Sequence, residues 1–387
     1  MKIEVRNIYK LFGTRPEKWL DDAKAGVDKR ELLEKSGHTL GLRNINLNIE
    51  AGQIYVIMGL SGSGKSTLIR HFNRLIEPTE GQIIVDGKDI MTMSKRELED
   101  FRRHKVSMVF QRFGLLPHKT IVENVAYGLG IQGVSKSIRH EKAYYWLDQV
   151  GLNGFENQYP AQLSGGMQQR VGLARALATN PDILLMDEAF SALDPLIRRE
   201  MQDQLIALQE KLNKTIIFIT HDLDEALRLG NRVAILRDGE LIQEGTPEDI
   251  LLNPENAYVK AFLQDVNRGK VLTVGHAIKQ PNVTITTNIS PQNALKKLQH
   301  HGADYACVLE SNILKGIVTH LDIIKADQAR DKNITRYIHK VATISEGAEL
   351  QSVFPQLLDN KQPIAVINQQ DEFKGWLSRT KVINLIQ

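Results

Sequence analysis

Ile54-Tyr55-Val56-Ile57-Met58-Gly59-Leu60-Ser61-Gly62-Ser63-Gly64-Lys65-Ser66-Thr67 runs from an unbroken apolar stretch into a Gly/Ser-rich turn and on to a Lys-Ser pair. The apolar stretch has the length and composition of a strand buried on both faces. From Gly59 to Ser66 the residues fit G-x-x-x-x-G-K-[ST], and residues 67–75 are predicted to form the helix that must follow. The chemistry explains the glycines: backbone N–H groups have to crowd around phosphate oxygens, and a Cβ would block that approach. Lys65 supplies a point charge for the β- and γ-phosphates, the Ser66 hydroxyl is placed for Mg²⁺, and the helix start adds partial positive charge. An ordinary flexible Gly/Ser loop would not need a strand before it and a helix after it. Alone, the motif specifies a nucleoside triphosphate and nothing narrower.

Working outward, residues 183–186 form a second buried apolar run that ends in Asp187-Glu188. In a parallel sheet its C-terminal end lies on the same edge as the phosphate loop. Asp187 there can hold Mg²⁺ through water, and Glu188 can polarise the attacking water. A third run, 215–220, precedes His221. Alternating apolar runs and helical stretches make residues 1–265 one large α/β unit.

Leu163-Ser164-Gly165-Gly166-Met167-Gln168-Gln169, followed by a helical pattern, offers a second anion cradle about a hundred residues after the first. Here the sequence resembles the ATP-binding cassette family, whose signature is Leu-Ser-Gly-Gly-x-Gln. The resemblance implies that Ser164, Gly165, Gly166 and Gln168 contact ATP held by a second copy of the chain, so that two chains sandwich two nucleotides. It also implies roles for Gln111, a Mg²⁺ contact that reports to a membrane partner, and for Asp194 in Ser191-Ala192-Leu193-Asp194, at the dimer seam. His221 becomes the γ-phosphate contact and, with Glu188, Gln111 and Lys65, part of the catalytic group. Gly59, Leu60, Ser61, Gly62, Ser63, Gly64, Lys65, Ser66 and Thr67 become the phosphate loop, with Ser66, Gln111 and Asp187 around the metal. For adenine stacking the family uses an aromatic near the first strand. Phe12 is the choice, because a flat face serves without a hydroxyl, and Tyr9 is the alternative.

Two features narrow the resemblance. Residues 14–40 form an insert between the first two strands, with a charged helical stretch over 28–35. It is similar to the insert in ATP-binding subunits of glycine betaine/proline betaine importers, and the likeness extends over the whole chain. Beyond a linker expected at residues 266–278 the sequence repeats: Leu314-Lys315-Gly316-Ile317-Val318-Thr319 has an echo in Phe373-Lys374-Gly375-Trp376-Leu377-Ser378, 59 residues later. Each copy reads as a βαββα-like unit. The pair, 279–330 and 335–387, resembles tandem CBS modules, which implies a regulatory role and a possible adenine nucleotide. Gly316-Ile317-Val318-Thr319-His320-Leu321-Asp322 fits the G-x-x-T-x-x-D pattern, with Asp322 for ribose hydroxyls and Thr319 for phosphate. In the second copy Lys381 stands where Asp322 stands in the first. A lysine cannot accept a hydrogen bond, so at most one nucleotide site per pair is expected. A pair that only packs or dimerises is the competing reading.

Bulk properties fit this frame. In 387 residues, 42% apolar and 25% charged, no run approaches the roughly 18 apolar residues of a membrane span. The single cysteine, Cys307, fits a reducing compartment. A net charge of +3 gives no reason to invoke nucleic acid, and that excess lies wholly in residues 279–387, where Lys296 and Lys297 are the one obvious cluster. The expected fold is α/β: a P-loop NTPase cassette with a RecA-like core, an antiparallel β subdomain and a helical subdomain, followed by an α+β tandem CBS module. The resemblance implies a homodimer at the cytoplasmic face of the membrane, beneath a permease fed by an external substrate-binding protein. Rivals are an importer of an amino acid or a sugar, and a soluble cassette ATPase acting on ribosomes or DNA. The absence of sustained heptads argues against the soluble rival.

Overall fold

The computed structural model describes residues 2–111, 114–191, 193–264, 266–359 and 363–386. Two compact units divide the chain, Met1–Gln264 and Asp265–Gln387.

Among the described residues the first unit contains ten strands: β1 (Ile3–Phe12), β2 (Thr39–Ile49), β3 (Ile54–Met58), β4 (Glu80–Val85), β5 (Lys88–Asp89), β6 (Val106–Val109), β7 (Ile183–Asp187), β8 (Thr215–Thr220), β9 (Arg232–Arg237) and β10 (Glu240–Gly245). Its main sheet has the order β10-β9-β3-β8-β7-β6. All neighbours from β9 to β6 are parallel, and β10 turns back antiparallel to β9. Every residue of β3, β7 and β8 is buried, as apolar runs without alternation require. The parallel arrangement brings the ends of β3, β7 and β8 to one edge. A second, antiparallel sheet, β2-β1-β4-β5, shares one core with the main sheet through residues such as Ile45, Tyr55, Phe72 and Leu185. Helices Ile121–Ile131, Lys136–Gln149 and Gly165–Ala178 pack around a separate core that includes Val125, Leu147 and Val171.

The helix expected over 67–75 is shorter. It spans Lys65–Ile69, and the chain then tightens into turns with bonds from His71 N to Leu68 O and from Phe72 N to Ile69 O. Asn73 Oδ1 accepts from Leu75 N, a local bond that competes with helix continuation. The insert is folded: helices Leu20–Lys24 and Lys29–Ser36 bury Leu20, Ala23 and Leu32 against Tyr9, Leu11 and Leu40.

The second unit adds β11 (Ile278–Lys279), β12 (Thr284–Thr286), β13 (Tyr305–Glu310), β14 (Ile313–Thr319), β15 (Thr343–Ser345), β16 (Ala365–Ile367) and β17 (Phe373–Leu377). β12 runs parallel to β13 and β13 antiparallel to β14; β15, β16 and β17 repeat that pattern. With helices Pro291–His301 and His320–Gln328 in one copy, and Phe354–Asp359 and Arg379–Ile386 in the other, both are βαββα. The copies exchange edges. β11, which precedes the first copy, pairs with β17 of the second, while His339, which precedes the second, bridges Ile317 of the first. Gly316 and Gly375 mark these crossings with φ of +147° and +149°; a Cβ on Gly316 would lie 2.2 Å from His339 O, and one on Gly375 would lie 2.8 Å from Lys279 O. Part of the segment 266–278 packs within the second unit. Leu272 and Val274 are buried, and Leu350 N and Val274 N bond to Leu272 O and Ala348 O.

Candidate active site

The phosphate loop leaves β3 and enters the helix Lys65–Ile69 through Gly64, whose φ of +100° favours glycine. Lys65 is buried, its Nζ donating to Gly59 O at 2.9 Å and Leu60 O at 3.0 Å. Burial lowers the Lys65 ammonium pKa below its ordinary value, opposed by the charges of Glu188 and Asp187. Space beside Gly62 is open: a Cβ there would meet nothing within 4 Å. Ser63 and Thr67 lie within the same strand–loop–helix unit; Ser63 N donates to Leu60 O, and Thr67 O contacts His71 Nδ1.

The acidic strand end lies beside this loop. Ser66 Oγ donates to Asp187 Oδ1 at 2.9 Å, and Arg70 Nη2 stands 3.4 Å from Asp187 Oδ2. Arg70 was not singled out from the sequence, yet its spacing was a signal: it follows Ser66 by four residues, one helical turn. Glu188 sits at φ +47°, a left-handed conformation that costs a non-glycine residue about 1 kcal/mol. Its backbone N–H is held by Ile219 O at 3.1 Å, which fixes the turn. The side chain is a meeting point. Glu188 Oε1 lies 3.9 Å from Lys65 Nζ, and Oε2 lies 3.3 Å from both Gln111 Nε2 and His221 Nδ1. Gln111 also donates to Ser191 Oγ at 3.4 Å.

These groups suit a magnesium nucleotide. Among the described residues no group of three His, Cys, Asp or Glu could hold a metal by itself. Mg²⁺ on a triphosphate needs only one or two protein ligands, and the Ser66–Asp187 pair offers them.

Residues of the second cradle do something else within this chain. Ser164 Oγ accepts from Met167 N at 3.3 Å, capping the helix Gly165–Ala178, and Gln168 Nε2 donates to Leu163 O at 3.2 Å. A Cβ on Gly166 would meet Ile197 Cγ2 at 2.7 Å. Asp194 caps the helix Pro195–Leu212 through Ile197 N at 3.1 Å; Ala192 lies outside the described residues. Among the described residues no hydrogen bond or ion pair joins Ser164, Gln168 or Asp194 to the Lys65–Glu188 group.

Of the two aromatic candidates, Tyr9 is 8% exposed within the insert core, whereas Phe12 is 39% exposed with its ring across Gly41. Phe12 is the more exposed of the two, and the Lys10 ammonium lies 5.1 Å from its ring centroid. In the second unit Thr319 and Asp322 form a capping box at the helix His320–Gln328, and His339 Nε2 reaches Asp322 Oδ2 at 3.0 Å. Burial raises the Asp322 carboxyl pKa, but bonds from Thr319 and His339 outweigh it and hold the group below its ordinary value. Lys381 Nζ instead donates to Ile278 O at 2.8 Å.

Known proteins resemble this chain in sequence and fold. Residues 42–191 match the family described as ABC transporter, and residues 274–329 match the CBS domain. The chain is 48% identical to the glycine betaine transport ATP-binding protein OpuAA of Bacillus subtilis, over 100% of this chain and 92% of that one. It is 44% identical to the glycine betaine/proline betaine transport system ATP-binding protein ProV of Salmonella typhimurium, over 100% and 98%. Among solved structures, the dimeric post-hydrolysis state of the ATP-binding cassette MJ0796 with ADP and Pi aligns at a TM-score of 0.54 and 35% identity, over 63% of this chain and 98% of that one. With the phosphate loop, the acidic strand end and the second cradle in one fold, the chain belongs to the ABC transporter family, as an ATP-hydrolysing member of its glycine betaine transport group.

Proposed function

We propose that this chain drives import of glycine betaine or a related quaternary amine, as a homodimer on the cytoplasmic face of the membrane beneath a permease. One observation carries the dimer. Among the described residues no hydrogen bond or ion pair joins the Ser164 cradle to the Lys65–Glu188 group within one chain, which supports a second copy bringing them together. Bound Mg²⁺ would neutralise charge on the transferred phosphoryl group. This chain's own residues would then act as follows: the loop and Lys65 bind, Ser66 and Asp187 hold the metal, and Glu188 accepts a proton from the attacking water. His221 and Gln111 would orient Glu188 until nucleotide enters, then turn to the γ-phosphate and the metal.

A groove of about 470 Å³ that includes Leu75, Phe110, Leu116, Tyr127 and Ile131 supports docking of an apolar segment of the permease. Full-length similarity to betaine systems supports the cargo, and an external substrate-binding protein would deliver it. The tandem modules 279–330 and 335–387 would regulate, with adenine nucleotide at Thr319 and Asp322 displacing His339. Lys296 and Lys297, both exposed, would hold the second unit to anionic lipid in a salt-dependent way.

The test is ATPase of the chain with its co-purified permease in vesicles. Stimulation by glycine betaine with the binding protein is expected; stimulation only by an amino acid or a sugar would replace the cargo. Flat ATPase across a salt series in anionic vesicles would remove the lipid contact. Nucleotide binding indifferent to Asp322→Ala would remove the regulatory site.

A further inference from the structure

Between the two copies of the repeat lies a cavity of about 240 Å³, lined mostly by residues 279–283 and 302–305 of the first copy, with Trp376, Leu377 and Ser378 of the second on its wall. It is below the roughly 300–1,000 Å³ of pockets that hold drug-sized ligands, and so too small for a nucleotide. Lys381, the residue in place of the ribose carboxylate, is committed to Ile278 O.

The wall chemistry is specific. Tyr305 and Trp376 line the cavity with their rings edge to face, centroids 5.9 Å apart at 81°. The indole N–H is taken up by Cys307 Sγ at 3.1 Å, itself a lining residue, so the ring offers the cavity no free donor. Asp304 and Lys279 also line it, and neither side chain has a hydrogen bond or ion pair among the described residues. Aromatic surface with a nearby carboxylate attracts a methylated ammonium, whose charge is spread over carbon and weakly hydrated. The unpaired Lys279 ammonium answers a carboxylate. One small ligand class satisfies both ends.

We propose that this cavity binds a small zwitterion bearing a quaternary ammonium and a carboxylate, so that the second unit reads the internal level of imported solute. The link to imported solute rests on the cargo reading above; the ligand class rests on the cavity.

Calorimetric titration of the full-length chain with glycine betaine, and with glycine as the unmethylated control, tests it. Saturable binding of one betaine per chain is expected, about tenfold or more tighter than glycine. Asp304→Asn and Tyr305→Leu should each weaken it about tenfold or more, with ATP affinity unchanged in Asp304→Asn. No saturable binding, equal binding of glycine, or full affinity retained in either variant would overturn the proposal. Betaine-stimulated ATPase without binding to the chain would sink this site and leave the cargo standing. Binding to the chain without betaine-stimulated ATPase would do the reverse.

Discussion

His221 Nδ1 stands 3.3 Å from Glu188 Oε2, and the two residues come from the ends of adjacent parallel strands, β8 and β7. The contact holds the carboxylate at the phosphate-loop edge while leaving it able to accept a proton. Because Gln111 reaches the same oxygen, three separate segments converge on one atom.

Glu188→Gln keeps the shape and the Gln111 contact but removes the base. Turnover should fall by about 10²–10³-fold while ATP affinity changes by less than about threefold. Single-turnover hydrolysis beside equilibrium nucleotide binding measures both. Substantial turnover in the variant would show that another group takes the proton.

Ser66→Ala removes the 2.9 Å bond to Asp187 and one metal contact. Hydrogen bonds to charged groups contribute about 1.5–3 kcal/mol, so the Mg²⁺ concentration for half-maximal ATPase should rise about tenfold. A Mg²⁺ titration of ATPase that overlays wild type would contradict the assignment.

Phe12→Ala should weaken ATP binding by about tenfold, the scale of one base stacked on an aromatic ring. Tyr9→Ala should instead lower thermal stability by about 3 kcal/mol or more through loss of core packing, with ATP affinity nearly unchanged in the folded fraction. Nucleotide titrations and melting curves on the pair separate the two roles.

His71 is fully buried beside the phosphate loop, and burial lowers its pKa to about 4. Its folded pKa lies below the unfolded value of about 6.5, so the unfolded chain binds the proton more readily. Stability from this group is complete above about pH 6.5 and is lost as pH falls towards about 4, with about 2 kcal/mol gone between pH 7 and pH 5. His71→Gln should flatten that part of the profile. Urea unfolding of both proteins at the two pH values provides the comparison, and parallel losses would refute it.

Gly316→Ala places a Cβ 2.2 Å from His339 O at a φ of +147°. The second unit should lose about 2–3 kcal/mol of stability. Calorimetry should show its transition shifted down, with the melting of the first unit unmoved.

Wherever backbone chemistry is local, the sequence alone determined the outcome. The phosphate loop, the buried strands, the acidic strand end and the βαββα repeat follow from spacing, because glycine placement and apolar runs constrain the chain over a few residues at a time. Only tertiary structure decided how remote groups meet. Three strand ends gather around Glu188 because parallel pairing aligns them, the insert closes over Tyr9 and leaves Phe12 more exposed, and Leu272 and Val274 pack into the second unit. Each of these depends on contacts between residues tens to hundreds of positions apart, and no local pattern encodes which side chain such packing will leave exposed.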